Sequence, residues 1–359
     1  MTVVSCLAAL ILSTLTGATG PDAHSTLRAM PRTVSAPPAD RPAWDIPIEH
    51  NGAVDRWLSY YQRRGRRTIQ IHLARAGRYE ETLRAILREH GLPQDLVYLS
   101  MIESGYDPNA HSSAHAVGLW QFLESTARRY GLRVTYWVDE RRDPVLATHA
   151  AAAYLEDLYE EFGSWYLAAA AYNGGSNRVR RAIRRTGSRD FWTLANRGYF
   201  PSETRNYVPK FIAVALIAKQ PERYGLTVAA ASPLNYDVGR VPDATSLEVI
   251  AEAAGVNVAE VKALNPQLIR GVTPPGERYY VRLPLRSGER FAANYERVQA
   301  EARAGSIQHT VRSGDTLSQL ATSYGSDLSA IRSANPSVQP ERLEVGQLLY
   351  IPLGQERRP

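Results

Sequence analysis

The chain has 359 residues, 44% of them hydrophobic and 22% charged. That is enough for two or more folded domains, and it excludes collagen-like, coiled-coil and wholly disordered classes. The formal charge is +6, but only Lys210, Lys219 and Lys262 of the 42 basic residues are lysines; with arginines spread along the chain, the surface reads as mildly basic and suited to an anionic partner, not to nucleic acid.

An apolar run covers Val3 to Ala18 and gives way to small residues at Thr16, Gly17, Ala18 and Gly20. It is short for a membrane span and too N-terminal for a core helix, so residues 1–23 read as a signal peptide, although no basic residue precedes the run. Cys6 is the single cysteine, which precludes a disulfide within the chain. The apolar stretch follows Cys6 instead of preceding it, which argues against lipidation there. Residues 24–43 are proline-rich and read as a linker. The expected location is the periplasm or cell envelope.

From 44 to 225 apolar residues return every three or four positions between Gly and Pro stops, which predicts a compact all-α domain. Predicted helices run from Tyr79 to His90 before Gly91, from Pro93 to Ser104 before Gly105, and from Pro144, capped by Asp143, to Phe162 before Gly163. Two more cover Leu167 to Tyr172 and Ser202 to Lys219. Glu103 then falls on the last turn of an apolar helix, where the helix dipole and desolvation both oppose ionisation and suit a general acid. The plainer alternative is a solvated helix-end glutamate.

Beyond Gly225 the texture changes to short β-branched runs, and a shift of 70 residues superposes Leu247 on Leu317, Ile250 on Leu320, Gly255 on Gly325, Val261 on Ile331, and Asn265-Pro266 on Asn335-Pro336. Such a repeat predicts two βααβ modules, at 235–285 and 307–353, each opening and closing on a short strand around two helices joined at the glycine. Residues 286–306, charged and alanine-rich, are expected to be a linker, and 354–359 a tail.

The segment Ile-Glu-Ser-Gly-Tyr-Asp-Pro at 102–108 is followed by Ser112, by Gly118-Leu119-Trp120-Gln121-Phe122 and by Ala171-Tyr172-Asn173-Gly174-Gly175. These motifs resemble the goose-lysozyme-like lytic transglycosylases. The strings Asp139 to Pro144 and Glu203 to Lys210 are similar to the D type of membrane-bound lytic murein transglycosylase, and the second module, with Ser313-Gly314-Asp315-Thr316-Leu317, resembles a LysM domain. The resemblance implies a lysozyme-like catalytic domain followed by two LysM-type modules, the first degenerate because Asp243-Ala244-Thr245 replaces Gly-Asp-Thr.

By the same resemblance, Glu103 is the single catalytic acid and then base. It cleaves the β-1,4 bond between N-acetylmuramic acid and N-acetylglucosamine in peptidoglycan and leaves a 1,6-anhydromuramyl end, a carbon–oxygen lyase reaction. Ser112, Trp120, Gln121, Tyr172, Asn173 and Tyr207 are the implied substrate-binding residues; Gly314, Asp315, Thr316, Ile331 and Asn335 are the implied glycan-binding residues of the LysM domain. From the residues alone Trp120 fits either a groove wall or the core, Gln121 and Asn173 either sugar hydrogen bonding or buried capping, and Tyr172 and Tyr207 either orientation of Glu103 or packing. His111 and His115 have the spacing of a zinc helix, but serine stands where its glutamate is required, so no metal and no cofactor is expected. A hydrolytic muramidase and an inactive wall-binding scaffold are the competing readings.

Overall fold

The computed structural model describes residues 44–352 except Pro275 and Gly305, and of residues 301–304 the backbone only. The proposed signal peptide, Cys6, the proline-rich linker and the C-terminal tail lie outside the described residues. Among the described residues no helix is long and apolar enough to cross a membrane.

The N-terminal part is helical: α1 (Gly52–Gln62), α2 (Arg66–Glu89), a short 3-10 turn leading into α3 (Val97–Ser104), α4 (Glu124–Arg129), α5 (Pro144–Phe162), α6 (Trp165–Gly174), α7 (Ser176–Thr186), α8 (Phe191–Asn196) and α9 (Ser202–Lys219). The helix expected to begin at Tyr79 begins thirteen residues earlier, because Ile69, Leu73 and Ala76 continue its buried stripe. Where caps punctuate the chain, the observed ends match the predicted ones. Asp143 accepts from the N–H groups of Val145 and Leu146 at the start of α5, and Gly163 ends it at φ 65°.

Alanines bring the central helices close together. Ala147, Ala150, Ala151 and Ala152 on α5 and Ala168 to Ala171 on α6 are all buried, so α6 is apolar on every side and forms the middle of the domain. α5 and α9 pack against α6, α2 packs against α5, and α3 lies between α2 and α9, which hold its end in place.

Each C-terminal module is a two-stranded antiparallel sheet around a helix pair. β1 (Tyr236–Val241) pairs with β2 (Tyr279–Pro284) around α10 (Leu247–Ala254) and α11 (Val258–Leu264). The helix α12 (Gly288–Ala304) follows. In the second module β3 (Ser306–Thr310) pairs with β4 (Leu348–Pro352) around α13 (Leu317–Tyr324) and α14 (Leu328–Ala334).

Residues 286–306, expected to be a linker, are instead mostly α12, and its Phe291, Tyr295 and Val298 are buried in the first module's core. The spacing of these residues accounts for the helix: four residues separate Phe291 from Tyr295 and three separate Tyr295 from Val298, which places them on one face.

The asparagine of each Asn-Pro pair clips its module's last strand. Asn265 donates to the carbonyls of Val261 and Arg282 and accepts from the Arg282 N–H. Asn335 makes the same three bonds with Ile331 and Tyr350.

Candidate active site

Glu103 lies on the last turn of α3, which ends where Gly105 takes φ 62°. Only glycine fits at 105, since a Cβ there would stand 2.2 Å from the His72 ring. The helix end is tied to the loop that follows. Ser100 and Ser104 both donate to the Leu119 carbonyl, at 3.1 and 2.8 Å, and the Tyr172 hydroxyl donates to the Trp120 carbonyl at 2.7 Å. Gly118, at φ 84°, brings that loop against the 139–143 segment; a Cβ there would fall 1.8 Å from the Arg141 carbonyl oxygen.

The Tyr207 hydroxyl, from α9, donates to Glu103 Oε1 at 2.6 Å. One turn on, Lys210 Nζ donates to the Ile102 carbonyl at 3.2 Å. Burial raises the Glu103 pKa from 4.5 to about 7; the Tyr207 hydrogen bond and the Lys210 charge oppose the rise, and the Glu203 charge adds to it. Burial, assisted by the Glu103 charge, also lifts the hydroxyls of Tyr207 and Tyr172 well above the usual tyrosine range. Burial lowers Lys210, against the pull of Glu103 and Glu203. The site can therefore hold a protonated carboxyl near neutral pH and still stabilise its anion once the proton has left.

The other candidates divide. Trp120 is a correction to the groove-wall reading: it is fully buried, and its indole N–H donates to Thr148 Oγ1 at 2.9 Å, so it packs the core beneath the site. Asn173 is held within the protein, donating to Glu203 Oε1 at 3.0 Å and accepting from Thr204 Oγ1 at 2.9 Å. Gln121 adopts the left-handed conformation, φ 49°, and its amide nitrogen donates to the Gly118 carbonyl at 2.9 Å. Ser112 Oγ accepts from the Ala116 N–H at 3.0 Å. Ser112 and Gln121 thus shape the 106–122 loop, and neither is hydrogen-bonded to Glu103.

Three participants escaped the sequence reading: Glu203, Lys210 and His72. The first two stand inside a quoted motif, where i, i+4 and i+7 from Glu203 place Glu203, Tyr207 and Lys210 on one helix face. His72 lies on a helix predicted only from Tyr79 onward.

In the second module Asp315 accepts from the Arg312 N–H and from His309 Nε2, both at 2.7 Å. The Arg312 N–H first, and then His309, hold its carboxyl below the usual range. Thr316 caps α13. Ile331 is fully buried and the Asn335 amide is spent on the strand clip, which corrects their reading as glycan contacts. In the first module Thr245 is buried and bonded to the Tyr295 hydroxyl at 2.8 Å, so α12 covers the loop that would correspond to Gly-Asp-Thr.

Residues 82–195 match the transglycosylase SLT domain, 237–300 the LysM-like domain of lytic transglycosylase MltD, and 309–352 the LysM domain. Over 297 residues the chain is 35% identical to membrane-bound lytic murein transglycosylase D of Escherichia coli (strain K12), covering 78% of this chain and 64% of that protein. It is 32% identical over 178 residues to the peptidoglycan transglycosylase gp16 of Escherichia phage T7, covering 45% of this chain and 13% of that protein. Among solved structures, an inactive mutant of the lytic transglycosylase Slt from Pseudomonas aeruginosa aligns with 40% of this chain and 24% of its own, at 28% identity and a TM-score of 0.34. The chain thus spans a little under two thirds of the length of the D-type relative. An SLT domain, an MltD-type LysM-like domain and a LysM domain thus follow one another in that order, in a chain similar to the D-type membrane-bound lytic murein transglycosylases.

Proposed function

We propose that the protein is a peptidoglycan lytic transglycosylase of the cell envelope, with Glu103 as acid and then base. The observation that carries this reading is a carboxyl raised to about 7 and hydrogen-bonded to Tyr207 at the end of α3. Glu103 gives its proton to the glycosidic oxygen as the bond to the muramyl anomeric carbon breaks. The muramyl acetamido oxygen stabilises that carbon until the same sugar's C6 hydroxyl attacks it. The O6 proton passes to Glu103, which restores the acid and leaves a 1,6-anhydro ring.

Because the nucleophile is tethered to the substrate, no second carboxylate has to position water. Glu203, which Asn173 holds beside the site, adjusts the charge around Glu103. The second module, at 307–353, anchors the enzyme to glycan through the loop at Gly314, Asp315 and Thr316, raising the local concentration of the enzyme on an insoluble polymer.

Mass analysis of the sugar ends released from purified peptidoglycan tests the reaction. Anhydromuramyl ends are expected; reducing ends would establish hydrolysis, with Glu203 as the base to examine, and no release would establish a scaffold.

A further inference from the structure

A cavity of about 500 Å³ opens beside the site between α1, α2 and α9, within the range of small-ligand pockets. Its walls are Arg56, Trp57, Tyr60, Tyr61, His72 and Lys210, together with Thr68 and Asn206. All lie outside residues 82–195, the part matched by the SLT domain. Two features define its chemistry. The first is an aromatic wall, in which Trp57, Tyr60 and Tyr61 stand with ring centroids 5.2 to 6.0 Å apart. The second is positive charge without a lining carboxylate.

Among the described residues Arg56 forms no ion pair, and its neighbour Asp55 is engaged with His50 at 2.6 Å. Burial, then the charges of Arg75 and Lys210, lower the His72 pKa to about 4, so its ring is neutral near pH 7.

Lys210 belongs to both places. It lines the cavity with Nζ 5.9 Å from the Trp57 ring centre, and that same Nζ donates to the carbonyl preceding Glu103. When Glu103 holds its proton, which is the state ready to act as acid, Lys210 loses one of its two neighbouring anions and keeps Glu203.

We propose that this cavity is a subsite for the carboxylate-bearing substituent at O3 of the muramyl unit beside the scissile bond. Resting on the function proposed above, this assigns the cavity the task of telling a muramyl unit from a glucosaminyl unit. Only the muramyl unit carries that substituent; the aromatic wall takes its apolar part and Arg56 and Lys210 take the carboxylate. The carboxylate has two possible sources, the free lactyl group of a peptide-free strand or the stem peptide attached to it.

The test uses the full chain carrying Glu103→Gln, which binds without turnover, and measures Kd calorimetrically for three muramyl-containing tetrasaccharides. One bears a free lactyl carboxylate, one a lactyl carboxamide and one the stem peptide. The carboxamide is expected to bind about tenfold more weakly than at least one anionic ligand, the size of one hydrogen bond to a charged group. Whichever anionic ligand gains identifies the source. Adding Arg56→Gln should reduce that preference to about twofold and leave the carboxamide Kd unchanged, whereas adding Trp57→Ala should weaken all three. Equal Kd values for all three ligands, or a preference that Arg56→Gln does not alter, would overturn the subsite. Turnover by the protein with Glu103 intact reads the reaction separately, so anionic preference without anhydromuramyl release would overturn the reaction and leave the subsite standing.

Discussion

The two C-terminal modules share a skeleton and an asparagine clip, yet they relate to the helical domain differently. At the clipped position of the last strand the first module has Arg282, whose guanidinium pairs with Asp143 at 2.8 Å, and both side chains are fully buried. Arg133 pairs with Glu277 at 2.7 Å, the Asp139 N–H donates to the Gln267 carbonyl, and Val138 sits in the first module's own core. The second module has Tyr350 at the clip, and its side-chain contacts with the rest are exposed: Glu341 with Tyr136 and, at 3.9 Å, with Arg270, and Ser333 with Glu248 at 3.2 Å. Exposed pairs of this kind are screened by solvent and contribute little. The same fold thus serves once as an extension of the helical domain and once as a lightly held attachment. The difference lies in what each module buries: the first takes Val138 into its core and Arg282 onto Asp143, whereas the core of the second is made of its own residues.

The largest effect expected is at the reacting carboxyl. Glu103→Gln should lower release of anhydromuropeptides by roughly 100-fold or more, since the amide keeps the shape but cannot cycle a proton. Sedimentation with peptidoglycan should be unchanged, because the second module is untouched. A loss of both would break the division of labour just drawn.

Next comes the buried pair. Arg282→Met leaves Asp143 charged, buried and without its guanidinium, and should cost about 3–5 kcal/mol. The loss should appear in a melting transition shared by the helical domain and the first module. Tyr350→Ala, at the equivalent position, should destabilise the second module alone. Separate transitions for the helical domain and the first module in the unmodified protein would refute the docking.

Deletions sharpen the contrast further. Removing 307–359 should weaken sedimentation with intact wall while cleavage of soluble strands continues. Removing 236–304 instead uncovers Val138 and unpairs Asp143, so the yield of folded enzyme should fall.

The smallest effect is in the pH profile. As Glu103 titrates near 7, kcat/KM on soluble strands should fall on the alkaline side from about that pH, because the acid form is being lost. The Tyr207 hydrogen bond favours the anion, so Tyr207→Phe removes a lowering influence and should move the alkaline limb upward, by roughly one pH unit or less. A limb that moved downward would contradict the bond at 2.6 Å.

Much of this was legible in one dimension because local chemistry decides it. Asp143, Pro144 and Gly163 bound α5 by capping, Gly105 ends α3 behind Glu103, and the 70-residue repeat exposes two βααβ modules through their spacing of apolar residues and Asn-Pro pairs. What required the tertiary structure was the assignment of faces. A tryptophan beside Gly118 and Gln121 reads as a groove wall until Thr148, 28 positions on, takes its N–H in the core. Ile331 and Asn335 read as ligand contacts until the closing strand covers them. Arg282 reads as one more surface arginine until Asp143, 139 positions earlier, meets it in the interior. Periodicity and capping act over a few residues and leave a mark in the sequence at that range, whereas desolvation depends on which distant segment covers a side chain, and only the packed chain fixes that.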